Sequence, residues 1–228
     1  MDKTESSKEL SFLEKIILLA LDDKGWFGNS EHSIKFGLAG AILFELFKRN
    51  SIELKESVVV VKDPRPLNDP LLDRVLEFIR TGKKNRSLRI WIQRMVYKKM
   101  MIRKSILRSL IAKNIIRKEE YSFFFVMYQF KYPVINPEMK RQLREEIFGR
   151  MVNEEKPGGY DLMMLSVMDS CKMFRKNFRH FPNYTKGRRK AKEVLEFKDS
   201  EVEDVKIVAA IDNSIRRAIV ASNVSIHA

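Results

Sequence analysis

Across residues 78–118 the chain carries fourteen lysines and arginines and no aspartate or glutamate. Lys99 and Arg103 are four residues apart, as are Lys104 and Arg108. On a helix each pair projects from one face, where like charges repel. A phosphate placed between them relieves that repulsion through charge-assisted hydrogen bonds. Lys104, Arg108 and the adjacent Arg103 are therefore the candidate phosphate-holding cations. Each cation close to an acidic membrane surface contributes about 1 kcal/mol. A solvated basic face is the plainer reading of the same residues.

Aromatic residues offer a second kind of contact. Trp26 and Phe27 stand between Gly25 and Gly28, either as a core plug or as an interfacial anchor. Phe123, Phe124 and Phe125 lie inside the run 121–130, which reads as the strongest strand in the chain. Its apolar residues do not alternate with polar ones. Both faces then need cover from a membrane surface, a second copy or the domain core. Catalytic chemistry has no comparable signal. His32, His180 and His227 are scattered, and Cys171 falls on an apolar helical stripe. No Gly-rich phosphate loop or metal-ligand spacing occurs. The reading is of no enzyme, no metal and no cofactor.

The net charge of +14 points to an anionic partner, either nucleic acid or an acidic membrane. A single cysteine excludes an internal disulfide framework and fits a reducing compartment. The polar N-terminus lacks a signal-peptide pattern and no stretch is apolar enough to span a bilayer. The expected location is the cytoplasm, peripheral on the cytoplasmic face of a membrane.

The elements that must position these side chains are arranged around residues 34–47. This stretch is apolar on nearly every side, with Lys35 and Glu45 near its ends. It predicts a buried central helix. Gly37 and Gly40 each cost about 1 kcal/mol of helix propensity and mark close approach of neighbours. Before it, Ser11 and Glu14 form a capping-box pattern that starts a helix ending at Asp22-Asp23-Lys24-Gly25. After it, 52–61 reads as β. Asp69-Pro70 opens a helix that Thr81-Gly82 closes. Trp91, Met95, Ile102, Ile106 and Leu110 keep one helical stripe through the basic stretch. A hairpin follows, with Ile115 and Ile116 beginning its first arm.

Asn136-Pro137 restarts helix, with Met139, Leu143, Ile147 and Met151 inward. Leu162, Leu165, Met168, Cys171 and Phe174 line the next helix, whose far end is basic through Lys172, Arg175, Lys176 and Arg179. Thr185 is placed to cap another helix. Ser200 and Glu203 form a second capping box before a final helix. The fold expected is mainly α: a single-domain helical bundle ringed by amphipathic helices, with a hydrophobic β-hairpin. The domain spans 10–222, between a polar tail at 1–9 and a tail at 223–228.

Several stretches resemble the Golgi phosphoprotein 3 family. Residues 13–25, Leu-Glu-Lys-Ile-Ile-Leu-Leu-Ala-Leu-Asp-Asp-Lys-Gly, look like its opening "E-E-x-L-L-L-x-L-x-D-x-x-G". Residues 37–46 look like its "G-L-R-G-x-x-L-x-E-L", and 110–115 like its "R-L-A-K-N-L". The Phe-rich strand, Tyr132-Pro133 and the closing helices follow in the family's order. The resemblance implies a peripheral protein that binds phosphatidylinositol 4-phosphate and recognises cytoplasmic tails of membrane proteins. The family's headgroup pocket uses a tryptophan after the first helix, the arginine of "G-L-R-G" and two arginines before "L-A-K-N". Here the tryptophan position falls near Ser30, with Trp26 in the same loop as a substitute. The "G-L-R-G" arginine is Ala39. Of the arginine pair, the earlier is Ser105 and the later is Arg108.

The leading expectation is a non-enzymatic peripheral membrane protein. It binds anionic phospholipid headgroups through Trp26, Arg103, Lys104 and Arg108. Phe123, Phe124 and Phe125 serve for membrane insertion or homo-oligomerisation. Nucleic acid is the rival partner, because residues 98–116 followed by a hairpin match a winged-helix order. A Phe-rich strand argues against that wing, since DNA-contacting wings are usually polar and basic.

Overall fold

Ser11 opens α1 (Phe12–Ala20) with the predicted capping box. The Glu14 amide donates to Ser11 Oγ at 3.3 Å and the Ser11 amide to Glu14 Oε2 at 2.8 Å. A computed structural model describes residues 9–82, 86–98, 100–123, 127–153, 157–196 and 202–224; the side chains of 122, 123, 127, 128, 153 and 224 lie outside that description. The other end of α1 is capped from outside. Asn177 Nδ2 donates to the Leu19 carbonyl at 3.1 Å and Lys140 Nζ to that of Leu21 at 2.7 Å. Lys176 Nζ donates to the carbonyl of Ala20. Helix-end carbonyls without such donors would be left unsatisfied in the interior.

The central helix is α2 (Ile34–Lys48), buried along almost its whole length. Its small residues admit neighbours as predicted. A Cβ on Gly37 would stand 2.8 Å from Cys171 Sγ, and one on Gly40 would stand 2.5 Å from Ile215 Cδ1. The 52–61 stretch is a hairpin of β1 (Ile52–Lys55) and β2 (Val58–Val61). Its two-residue turn, Glu56-Ser57, has both φ angles positive, which suits the twist of the strands. Asp69 Oδ1 caps α3 (Pro70–Arg80), accepting from the amides of Leu71 and Leu72.

The basic stretch departs from the single stripe expected of it. It breaks into α4 (Leu88–Tyr97) and α5 (Ile102–Ala112), with Met101 at φ +54° between them. Trp91, Met95, Ile102, Ile106 and Leu110 are all buried, so the residue types were read correctly and the continuity was not. Asn114 ends α5 in the left-handed conformation. The Ile115 amide then donates to Leu110 O and the Asn114 amide to Ile111 O, a Schellman-type closure.

Residues 121–130 are likewise not one strand. They contribute to both arms of a hairpin, β3 (Glu119–Phe123) and β4 (Met127–Lys131), with Glu119 opposite Lys131. Ile115 and Ile116 precede the first arm, and Ile116 bridges Val134.

The remaining helices are α6 (Pro137–Asn153), α7 (Gly159–Ser170), α8 (Phe174–Phe178), α9 (Tyr184–Val194) and α10 (Glu203–Val224). Phe174 opens α8 instead of extending α7. Thr185 lies inside α9, which follows a left-handed Asn183 with no side-chain cap. The capping serine expected at Ser200 lies outside the described residues. Val208, Ile211 and Ile215 of α10 are fully buried. Helices α1, α3, α4, α5, α7 and α10 all pack on α2. The described residues thus form a mainly α fold with two antiparallel hairpins and no barrel.

Candidate functional site

The loop after α1 meets the β3–β4 hairpin and the start of α5. Asp22 Oδ1 accepts from the amides of Lys24 and Trp26, at 2.9 and 2.8 Å, which folds the loop tightly. Gly25 has φ +87°, and a Cβ there would lie 2.3 Å from Pro133 N. No other residue type fits. The Tyr132 amide donates to Gly25 O at 2.8 Å, fastening the hairpin's exit strand to the loop. Trp26 is half-buried and meets Tyr121 edge-on, ring centres 6.0 Å apart. Phe27 is buried, which settles the plug-or-anchor alternative for that residue in favour of the plug.

Arg103 sits over this plug. Its guanidinium lies 4.9 Å from the Phe27 ring centre, and it pairs with Glu31. Beside it opens a hollow of about 710 Å³. Lys35 of α2 and Lys104 of α5 line its walls, and Met95, Val96 and Met100 contribute apolar lining. Among the described residues neither Lys35 nor Lys104 has a carboxylate partner. His32 also lines the hollow and shares a 2.8 Å hydrogen bond with Ser222. Burial and the nearby Lys35 ammonium push the His32 pKa below its ordinary value, so the ring adds no charge at neutral pH.

Arg108 is exposed on the same helix face as Lys104, as the spacing predicts, but the two line different hollows. Arg108 borders one of about 430 Å³ with Arg74, whose guanidinium donates to Ser105 Oγ at 3.3 Å. Glu14 lines it too. Burial would raise the Glu14 pKa; hydrogen bonds from Lys113, the Ser11 amide and Ser109 outweigh burial and hold it below the usual range. Lys113 reaches Glu14 at 2.7 Å, so this cation is structural.

The hairpin carries exposed aromatic residues. Tyr121 is 46% exposed and Phe130 41%, and the register places them on opposite faces. The domain core therefore does not cover these two. Phe124 and Phe125 lie outside the described residues, as does the side chain of Phe123. Lys99 lies outside them as well.

The groove can hold an anion between ammonium groups over an apolar floor. Burial pushes the Cys171 thiol up to about 12, which leaves it unreactive at neutral pH. Among the described residues no group of three or more His, Cys, Asp or Glu side chains is placed to hold a metal ion. None of the described helices is long and apolar enough to cross a membrane. Lys35 and Arg74 are the two lining cations that sequence reasoning passed over. The signal for Lys35 was present, as a cation on a helix otherwise apolar around its start.

One comparison with known proteins bears on this arrangement. The family model described as Golgi phosphoprotein 3 (GPP34) matches residues 13–218. The match takes in all but the first residue of α1, the central helix, the basic stretch, the hairpin and most of α10. The chain belongs to the Golgi phosphoprotein 3 (GPP34) family.

Proposed function

We propose that this chain is a non-enzymatic peripheral membrane protein that binds anionic phospholipid headgroups. The observation that carries the reading is the groove between α2 and α5. There Lys35 and Lys104 stand without carboxylate partners next to a loop that buttresses an aromatic-bearing hairpin. Phosphate accepts hydrogen bonds from both ammonium groups. Arg103 stands at the groove edge with its charge offset by Glu31, and Arg108 adds positive potential from one turn further along α5. Trp26, Tyr121 and Phe130 suit the interfacial zone, where an aromatic body meets apolar chains and its polar edge meets water. Met101, 50% exposed at the groove's edge, suits it too. The family supports a lipid-binding role of this type. Phosphatidylinositol 4-phosphate is the headgroup its relatives suggest, with Lys35 one helical turn before Ala39 supplying a charge that Ala39 does not. The domain at 10–222, a second copy docking through the hairpin, cytoplasmic tails of membrane proteins as partners, and residence on a cytoplasmic membrane face complete the proposal.

Co-sedimentation with phosphatidylcholine vesicles, with and without phosphatidylinositol 4-phosphate or phosphatidylserine, tests it. Pelleting with the anionic vesicles alone is the expected outcome. Equal pelleting with all vesicles, or with none, contradicts it. Tight, salt-steep binding to random duplex DNA without vesicle binding would favour the nucleic-acid reading.

A further inference from the structure

A second cationic hollow lies on the other side of Asn29, which lines both it and the groove. It measures about 790 Å³ and is bordered by the turn after α7, by α8 and by α9. Such a volume suits a small-molecule ligand, for which sites run about 300–1,000 Å³. Five cations line it: Lys172, Arg175, Lys176, Arg179 and Arg188. Among the described residues none of the five is paired with a carboxylate. Arg179 Nε donates to His180 Nε2 at 2.8 Å and Arg188 to the Tyr184 hydroxyl at 3.0 Å, and neither acceptor carries negative charge. Lys176 donates to the backbone carbonyls of Ala20 and Phe27. The carboxylate in the lining, Asp169, is held by Arg216 at 2.9 Å.

Several arginines elsewhere on the surface are given acids, although among the described residues Arg74 and Arg108 are not. Arg65 pairs with Asp63, Arg80 with Glu77 and Arg150 with Glu146. This hollow nevertheless gathers five of the described cations that lack an acid, against Lys35 and Lys104 in the groove and Arg74 and Arg108 in the third hollow. Crowded like charges with one partly buried member repel more strongly than they would in open water. A bound polyanion removes that cost. A single phosphate monoester brings about two negative charges at most, which leaves five cations undercompensated.

We propose that the hollow between α8, α9 and the Asn29 turn is a second anion site that takes a compound bearing two or more phosphate groups. Arg175 and Arg188 grip it from opposite helices, and Lys176 supplies charge from the wall. The chemistry is the same whether the phosphates belong to a soluble polyphosphate or to a polyphosphorylated lipid headgroup.

Isothermal titration calorimetry of the full chain with inositol 1,4,5-trisphosphate tests the site. The Arg175→Gln/Arg188→Gln variant changes two exposed side chains, and its circular dichroism and melting should match wild type. It should weaken binding at least about tenfold, as expected for losing two charge-assisted contacts. The Arg65→Gln/Arg80→Gln variant, at exposed arginines that line neither hollow, should stay within about twofold of wild type. Absence of binding by the wild type at millimolar ligand overturns the proposal. So does equal loss in the two variants, or loss only in the second. Vesicles carrying phosphatidylinositol 4,5-bisphosphate identify the source. Weaker pelleting of the Arg175/Arg188 variant assigns a membrane headgroup to the site, and unchanged pelleting with weakened calorimetric binding assigns a soluble polyphosphate.

Discussion

Arg103 stacks 4.9 Å from the centre of the Phe27 ring while pairing with Glu31 at the lip of the α2–α5 groove. One side chain thus joins the plug of the α1–α2 loop to the start of α5. It also means that the groove holds one of its cations in check. Glu31→Gln should release the Arg103 charge toward an incoming headgroup. Vesicle affinity should rise about fivefold, the value of one cation of about 1 kcal/mol at an acidic surface. Titration with phosphatidylserine vesicles measures it, and unchanged or weaker binding contradicts the assignment.

The hairpin's attachment rests on Gly25. Any side chain there meets backbone atoms of Tyr132 and Pro133 at a φ that only glycine adopts readily. Gly25→Ala should cost more than about 2 kcal/mol, and protease cleavage within 117–133 should accelerate. A melting curve and cleavage pattern identical to wild type would show that the loop does not hold the hairpin.

Glu14 anchors α1 to α5 through the capping box, Ser109 and Lys113. Glu14→Ala should destabilise by about 2–4 kcal/mol, combining a lost cap with a stranded, partly buried lysine. Because its folded pKa is depressed, the stability it contributes is fully present above its ordinary carboxylate value. That stability is lost as pH falls through the depressed value. Denaturant midpoints at pH 7 and in mild acid should therefore converge between wild type and variant as the pH drops.

Lys140 has the opposite dependence. Its side chain is 3% exposed. Burial, with Arg144 adjacent, pushes its ammonium down to about 8, against an ordinary 10.5. Between those values the unfolded chain binds a proton that the folded chain has shed, so stability contributed by this site rises with pH. Wild type should gain on Lys140→Met from about pH 7.5 to about pH 9.5. A constant difference across that window would mean that Lys140 stays charged in the fold.

What could be read from the sequence was set by local chemistry. The Ser11–Glu14 box, Asp69-Pro70 and the hub at 34–47 depend on neighbours a few residues away, and each formed as read. The break at Met101 carries no glycine or proline, and the apolar residues on either side are buried in both helices, so periodicity alone joined them. The division of 121–130 between β3 and β4 is likewise unmarked in the sequence by Gly, Asn, Asp or Pro. Spacing put Lys104 and Arg108 on one face. Which hollow each borders is decided by α2 and α3, distant in sequence, which bring Lys35 to one and Arg74 to the other.

The central claim is that the Lys35–Lys104 groove reads a negatively charged membrane. Co-sedimentation of wild type and Lys35→Gln/Lys104→Gln with phosphatidylinositol 4-phosphate vesicles tests it most directly. Wild type should pellet with these vesicles and not with neutral ones, and the variant, with an unchanged melting temperature, should remain mostly in the supernatant. A folded variant that pellets as fully as wild type would contradict the account.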